Sequence, residues 1–221
     1  MVVQISAVLF DFGNTLFAHA PLPEVIRVEA ARLGHEVTGE WAQVLADQVQ
    51  HDAHTVEELA YPRDLDSAVW AARWPILYSA GDDHVPGLGA ALYRSMHAAD
   101  EWVPYAGSGR TLAALHDAGV PVGVVSNTGW DVRAVFAHHG LDRFVDVFVL
   151  SCEVGAVKPD PSIFLTTCDR LEVDPARTLM VGDDPVADAG AVRAGLTTLL
   201  LPALSPGQDN GVQSAVRLVF S

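Results

Sequence analysis

Lysine is almost missing from this chain: of its 13 basic residues 12 are arginine, and Lys158 is the one lysine. A sequence that turns to arginine everywhere else keeps an ammonium, a compact point charge, at one place where a wide guanidinium fork would act differently. Basic residues as a class are also scarce, 13 against 28 Asp and Glu, which gives a formal net charge of −15. That balance repels phosphate backbones and anionic lipid, so nucleic acid and membrane surfaces are excluded as partners and solubility is favoured. Cysteine is equally thin. Cys152 and Cys168 are too few for a disulfide framework or a cysteine metal cluster, and they read as core thiols of a reducing compartment. The opening MVVQISAVLF has no basic n-region and no cleavage site, and no apolar run approaches the ~18 residues of a spanning helix. The expectation is a soluble cytoplasmic protein.

What is present is a globular composition, 50% hydrophobic and 19% charged. A chain of this length buries roughly 70% of its unfolded surface without staples. Val2 to Phe10 is a short apolar run ending in the polar Asp-Phe-Gly-Asn-Thr turn, the pattern of a strand buried on both faces. From Val120 onward strand and helix periods alternate. Strands are predicted at 120–125, 145–150, 178–181 and 197–201, and helices at 130–139, 161–171 and 186–194. Such alternation predicts an α/β fold, a three-layer doubly wound parallel sheet. Between Phe17 and Asp100 no strand is expected. Helical spacing recurs at 25–33, 41–49, 68–78 and 88–96, with prolines marking breaks and Pro75 either ending or kinking its helix. An all-helical insertion at 17–100 would leave an α/β core of 1–16 and 101–221. Placed after the first strand, it would sit over the carboxyl ends of the sheet, where open α/β sheets bind ligands.

Polar residues gather behind four of the predicted strands: Asp11 with Asn14 and Thr15; Ser126 with Asn127; Lys158; and Gly182-Asp183-Asp184 with Asp188. Taken singly, each is an ordinary turn former or helix cap. Together, in this order on this strand pattern, they converge on one site.

On these residues the sequence resembles the haloacid dehalogenase superfamily. VLFDFGNTL is similar to its first motif, VGVVSNT to its second, VKPDPSIF to its third and LMVGDDPVADAGAVRAG to its fourth, and 17–100 is similar to a helical cap of the first type. The resemblance implies hydrolysis of a small phosphorylated metabolite through an aspartyl phosphate on Asp11. It implies Mg²⁺ held by Asp11, the Gly13 carbonyl and Asp183, with Asp188 supporting that shell or reaching the ion through water. Physical chemistry agrees: a carboxylate approaches a phosphoryl group only when cations screen its oxygens, and a hard divalent ion takes oxygen ligands. Ser126 and nearby backbone N–H groups would hold a phosphoryl oxygen, and Lys158 would neutralise that charge and Asp11. Thr15 would orient nucleophile or phosphate, Gly13, Asn14 and Asn127 would border the substrate, and Trp130 would touch it.

One position departs from the pattern. Phosphatases of the superfamily place a second aspartate two residues after the nucleophile, and here that residue is Gly13. General acid–base work of this kind is worth roughly 10² to 10⁴ in rate. Three readings follow: a phosphatase served by a good leaving group or another acid, with His19 one candidate; a metal-independent 2-haloacid dehalogenase-like hydrolase; or a silent binder of phosphate or a partner protein. The carboxylate cluster of the fourth motif argues against the second, because it needs a cation and would repel a carboxylate substrate. His51 and His54, with Asp47 and Asp52, have a metal-like spacing but read better as the wet face of a helix. Nothing here chooses between monomer and homodimer.

Overall fold

The computed structural model describes residues 4–221. Its strands are β1 (Ala7–Phe10), β2 (Phe17–His19), β3 (Trp102–Pro104), β4 (Val122–Ser126), β5 (Val147–Leu150), β6 (Thr178–Gly182) and β7 (Thr197–Leu200). Five of them form one parallel sheet in the order β5-β4-β1-β6-β7. The alternation read from the second half of the sequence accounts for this sheet. The first strand is shorter than expected and begins at Ala7, and Val2 and Val3 of that expectation lie outside the described residues.

The helices are α1 (Leu22–Arg32), α2 (Gly39–Ala53), α3 (Val56–Leu59), α4 (Ser67–Tyr78), α5 (Leu88–His97), α6 (Ser108–Asp117), α7 (Arg133–His138), α8 (Ser151–Val154), α9 (Pro161–Leu171) and α10 (Ser214–Val219). Layering follows from the side-chain alternation of the strands. Val8 and Phe10 of β1 face one cluster with Leu112 and Leu115 of α6, Phe136 of α7 and Val219 of α10. Leu9, Val125 and Met180 face the other, with Ile163, Phe164 and Cys168 of α9. A strand buried on both faces needs apolar residues at successive positions, and Ala7–Phe10 supplies them.

The segment between β2 and β3 builds its own core. Val25, Ile26 and Ala30 of α1, Leu45 and Val49 of α2, Tyr78 of α4 and Leu88 and Leu92 of α5 form a separate cluster. Three of its helices, α2, α3 and α4, begin at side-chain caps: Thr38 accepts from the Trp41 N–H, Thr55 from Glu58, and Asp66 from Ala68 and Val69. Pro75 lies inside α4 and does not end it.

Two expectations need correction. Phe17–His19 is a strand, pairing antiparallel with Trp102–Pro104, so the inserted segment is stitched at its two ends. Three residues are too few to declare a period of two. Residues 188–194, expected as α-helix, form a 3₁₀ helix ending at Gly195 in the left-handed conformation (φ 90°). Among the described residues, no helix is long and apolar enough to cross a membrane.

Candidate active site

β1 lies at the centre of the sheet, and the chain leaves it to build outward in both directions, so the crevice at its carboxyl end is the topological switch point. Asp11 follows β1 directly, and its N–H donates to the Val181 carbonyl (2.9 Å), continuing the ladder with β6. Ser126 closes β4 on one side, and Asp183 follows β6 on the other. Three neighbouring strands thus deliver three of the expected residues to one place.

Lys158 joins them from the loop after α8. It is 5% exposed, and its Nζ donates to Asp11 Oδ1 and Asp188 Oδ1, each at 2.6 Å. Its backbone is clamped by Asn127: the Asn127 Nδ2 donates to the Lys158 carbonyl (2.9 Å), and the Lys158 N–H donates to Asn127 Oδ1 (2.8 Å). Both ends of the Asn127 amide are therefore engaged in placing the lysine. Asp188 is fully buried, and its second oxygen accepts the N–H groups of Asp183 (2.9 Å) and Asp184 (3.0 Å). It shapes the turn after β6 and fixes the ammonium at once.

The carboxyl oxygens of Asp11, Asp183 and Asp188 lie within 4.8 Å of one another, and among the described residues this is the one such cluster of His, Cys, Asp or Glu. His51 and His54 do not form a second; His54 Nδ1 bonds the Gln50 carbonyl of its own helix. Burial, partly opposed by Lys158 and reinforced by Asp188, pushes the Asp11 carboxyl up to about 7. Burial and the Asp188 charge also raise Asp183, against the hydrogen bond from Thr15 Oγ1 (3.3 Å). Burial alone would lower Lys158, but Asp11 and Asp188 outweigh it and hold the ammonium above its ordinary range. Three carboxyl groups facing one ammonium leave a deficit of positive charge that a divalent cation fits. With Asp188 engaged by Lys158 and two amides, Asp11 and Asp183 hold the oxygens free to meet it.

A cavity of about 350 Å³ opens on this cluster. Its floor includes Asp11, Gly13, Asn14, Ser126, Asn127, Lys158 and Asp183, so the expected residues border one space, while Thr15 is buried behind it against Asp183. Asn14 adopts the left-handed conformation (φ 55°) that this tight turn requires. Trp130, which follows the second motif, lines the cavity. His19 does not; its ring nitrogens lie against the carbonyls of Ala20 and Ser95. The opposite wall, Trp70, Trp74, Tyr78, Met96, His97 and Trp102, was not individually legible in the sequence. A cap bears aromatic residues for packing as often as for contact, and only the tertiary fold separates the two. The Pro202 to Gly211 stretch is anchored beneath the site: Asn210 Nδ2 donates to the Thr15 carbonyl (2.9 Å), and the Tyr105 hydroxyl to the Leu204 carbonyl (2.6 Å).

Comparison with known proteins agrees with the geometry. The family model for haloacid dehalogenase-like hydrolases matches residues 5–195. The chain is similar to a glyceraldehyde 3-phosphate phosphatase of Methanopyrus kandleri, 31% identical over 89% of this chain and 83% of that one. It is also 30% identical to a ribulose-1,5-bisphosphate 5-phosphatase of Halopiger xanaduensis, over 88% and 84%. A crystal structure of a dehalogenase with an intermediate complex superposes over 100% of both chains with a TM-score of 0.73 at 23% identity, a likeness of fold. With its four motifs joined at the end of one parallel sheet and residues 5–195 matched by the family model, this chain belongs to the haloacid dehalogenase-like hydrolases.

Proposed function

We propose that the protein is a Mg²⁺-dependent phosphatase acting on a small phosphorylated metabolite, with Asp11 as nucleophile. The observation that carries this reading is Asp11 set between the Lys158 ammonium, at 2.6 Å, and the Asp183 carboxyl, on the floor of the cavity. The named activities of the similar proteins, both phosphatases, support it.

In this reading an oxygen of Asp11 forms a bond to phosphorus as the ester oxygen departs in line, and water later releases phosphate from the aspartyl group. Lys158 offsets charge on the transferring group and holds Asp11 in position. Ser126, whose hydroxyl makes no hydrogen bond within the described residues, is free to donate to a phosphoryl oxygen. Thr15 orients Asp183, and Asn127 acts through the lysine it clamps. Asp11, the Gly13 carbonyl and Asp183 would hold Mg²⁺, with Asp188 behind them; the ion supplies charge neutralisation and a template for in-line displacement. Residues 17–100 act as a cap that closes over the substrate and excludes water.

Gly13 stands where an acid would be, and a Cβ built there meets nothing nearer than the Trp102 ring at 3.8 Å. The first side-chain atom of an aspartate therefore fits there without a clash. The test compares acetyl phosphate, p-nitrophenyl phosphate and the alkyl ester glycerol phosphate with Mg²⁺ and with EDTA, in wild type, Asp11→Asn and Gly13→Asp. Expected are turnover with metal, loss in EDTA and in Asp11→Asn, and a rise of roughly 10²-fold on alkyl phosphates in Gly13→Asp. Halide release from a 2-haloacid, indifferent to EDTA, would overturn the reading in favour of a dehalogenase.

A further inference from the structure

Four of the chain's five tryptophans, Trp70, Trp74, Trp102 and Trp130, line the cavity that holds Asp11 and Lys158. They arrive from three separate places: α4, β3 and the loop after β4. Their rings form a continuous wall. Trp70 and Trp74 have centroids 5.3 Å apart, Trp102 and Trp130 6.3 Å, and His97 bridges the two pairs, 6.2 Å from Trp70 and 5.0 Å from Trp130. The Trp74 indole N–H is buried and has no acceptor.

Two things are missing from this wall. The first is a cation. No arginine lines the cavity. Arg63 and Arg73 pair with Glu58, and Arg32 pairs with Glu29 and Glu101. Arg63 also lies against the Trp74 ring, 5.1 Å from its centroid, but does not line the cavity, so a second phosphate or a carboxylate on the substrate would touch no cation beyond Lys158 and would be poorly compensated for its desolvation. The second missing element is an acid. Gly13 carries none. The His97 Nδ1–H donates to the Tyr93 carbonyl (2.6 Å), and its Nε2 accepts from the Trp70 indole (2.9 Å). With both nitrogens engaged, the imidazole has no proton for a substrate oxygen. Asp184 accepts from the Val186 and Ala187 amides and holds a turn.

We propose, resting on the phosphatase reading, that the substrate class is the aryl phosphate monoesters: a flat ring with no second anionic group, seated among Trp70, Trp74, Trp102 and Trp130. The Asp11–phosphorus bond forms as the phosphorus–oxygen bond to the ring breaks. The electron pair leaves on a phenolate that the ring delocalises, so no protein acid is needed, and the phenolate takes its proton from solvent. Water then attacks the aspartyl phosphate, gives up a proton to solvent and restores Asp11. The cavity volume, near the lower end of small-molecule sites, fits one or two fused rings beyond the phosphoryl group. A wall of this kind also suits a quaternary ammonium, but choline would leave as an alkoxide that does need an acid.

The experiment uses the whole protein with Mg²⁺ and compares acetyl, phenyl, 1-naphthyl, glycerol and choline phosphates. Expected is a kcat/KM for the aryl esters roughly a hundredfold above glycerol phosphate. Trp74→Leu should lower the ratio of kcat/KM for 1-naphthyl to acetyl phosphate by about tenfold, and Trp74→Phe should restore most of it. In Asp11→Asn, tryptophan fluorescence should report phenylphosphonate binding about tenfold tighter than methylphosphonate. Good turnover of acetyl phosphate with no preference for rings would overturn the aryl assignment and leave the phosphatase reading standing. Choline phosphate as the best ester would overturn it in favour of a cation cage. Absence of turnover on every phosphate would bring down the phosphatase reading, and ring-selective binding of the phosphonates would still distinguish an aromatic site from none.

Discussion

Asp11 is asked to be both buried and charged, and its surroundings resist that. Burial and the neighbouring Asp188 and Asp183 push its carboxyl up to about 7, although Lys158 sits 2.6 Å away. A carboxyl raised from 3.8 in this way contributes stability that is fully present below its unfolded value and is lost as pH rises through the folded one. The metal-free protein should therefore lose stability relative to Asp11→Asn, which has no proton to lose there, as pH rises. Between about pH 4.5 and about pH 8 the difference in unfolding free energy should shift by roughly 3 kcal/mol in favour of the variant. Urea melts of both proteins in EDTA measure it. Lys158 keeps Asp188 as its partner at both pH values, so its loss of Asp11 cancels from the comparison. A shift that survived saturating Mg²⁺ would contradict the cause given, because a bound cation stabilises the ionised carboxylate.

At the scale of elements, the turn after β6 shows how a short segment can carry a site. Gly182 ends that strand, and a Cβ placed on it would lie 2.2 Å from the Asp188 carboxyl group. Only glycine lets Asp188 fold back onto the amides of Asp183 and Asp184 while reaching Lys158. Gly182→Ala should evict that carboxylate, leaving two amides unsatisfied and the lysine half-paired, at a cost of about 3 kcal/mol. Gly39, at the start of α2 with nothing within 4 Å, is the control, and its alanine variant should stay within about 0.5 kcal/mol. Chemical denaturation distinguishes the two. This turn also marks how far sequence could be read. Asp11, Ser126 and Asp183 were legible because each closes a strand with its own apolar period, and strand ends in a parallel sheet must meet. The bond from Lys158 to Asp188 was not, since it depends on how the loop after α8 lies over a 3₁₀ helix that reads as α in sequence. β2 and β3 were hidden for a simpler reason: three residues each, far apart in the chain, carry no period of their own.

Across the whole molecule, the hydrophobic core of the helical segment meets the sheet's cores along a seam that carries few hydrogen bonds among the described residues. The helical segment has its cluster and the sheet has its own pair. Between them, the Ser151 hydroxyl bonds the Asp64 carbonyl, and Gly129 lies directly under Trp70. A Cβ at Gly129 would come within 2.3 Å of the Trp70 Cβ and 2.8 Å of the Arg63 carbonyl oxygen. Neither neighbour is the free end of a flexible chain. Gly129→Ala must therefore be absorbed by moving the helical segment off the sheet, while each core keeps its own packing. Circular dichroism should be unchanged. Acrylamide should quench tryptophan fluorescence more strongly, because four of the five indoles line the cavity that this movement opens. Turnover should fall by roughly tenfold to a hundredfold, the cost of reacting groups displaced by about an ångström. A variant with normal quenching and normal rate would mean that closure of the helical segment over Asp11 is not what this glycine permits.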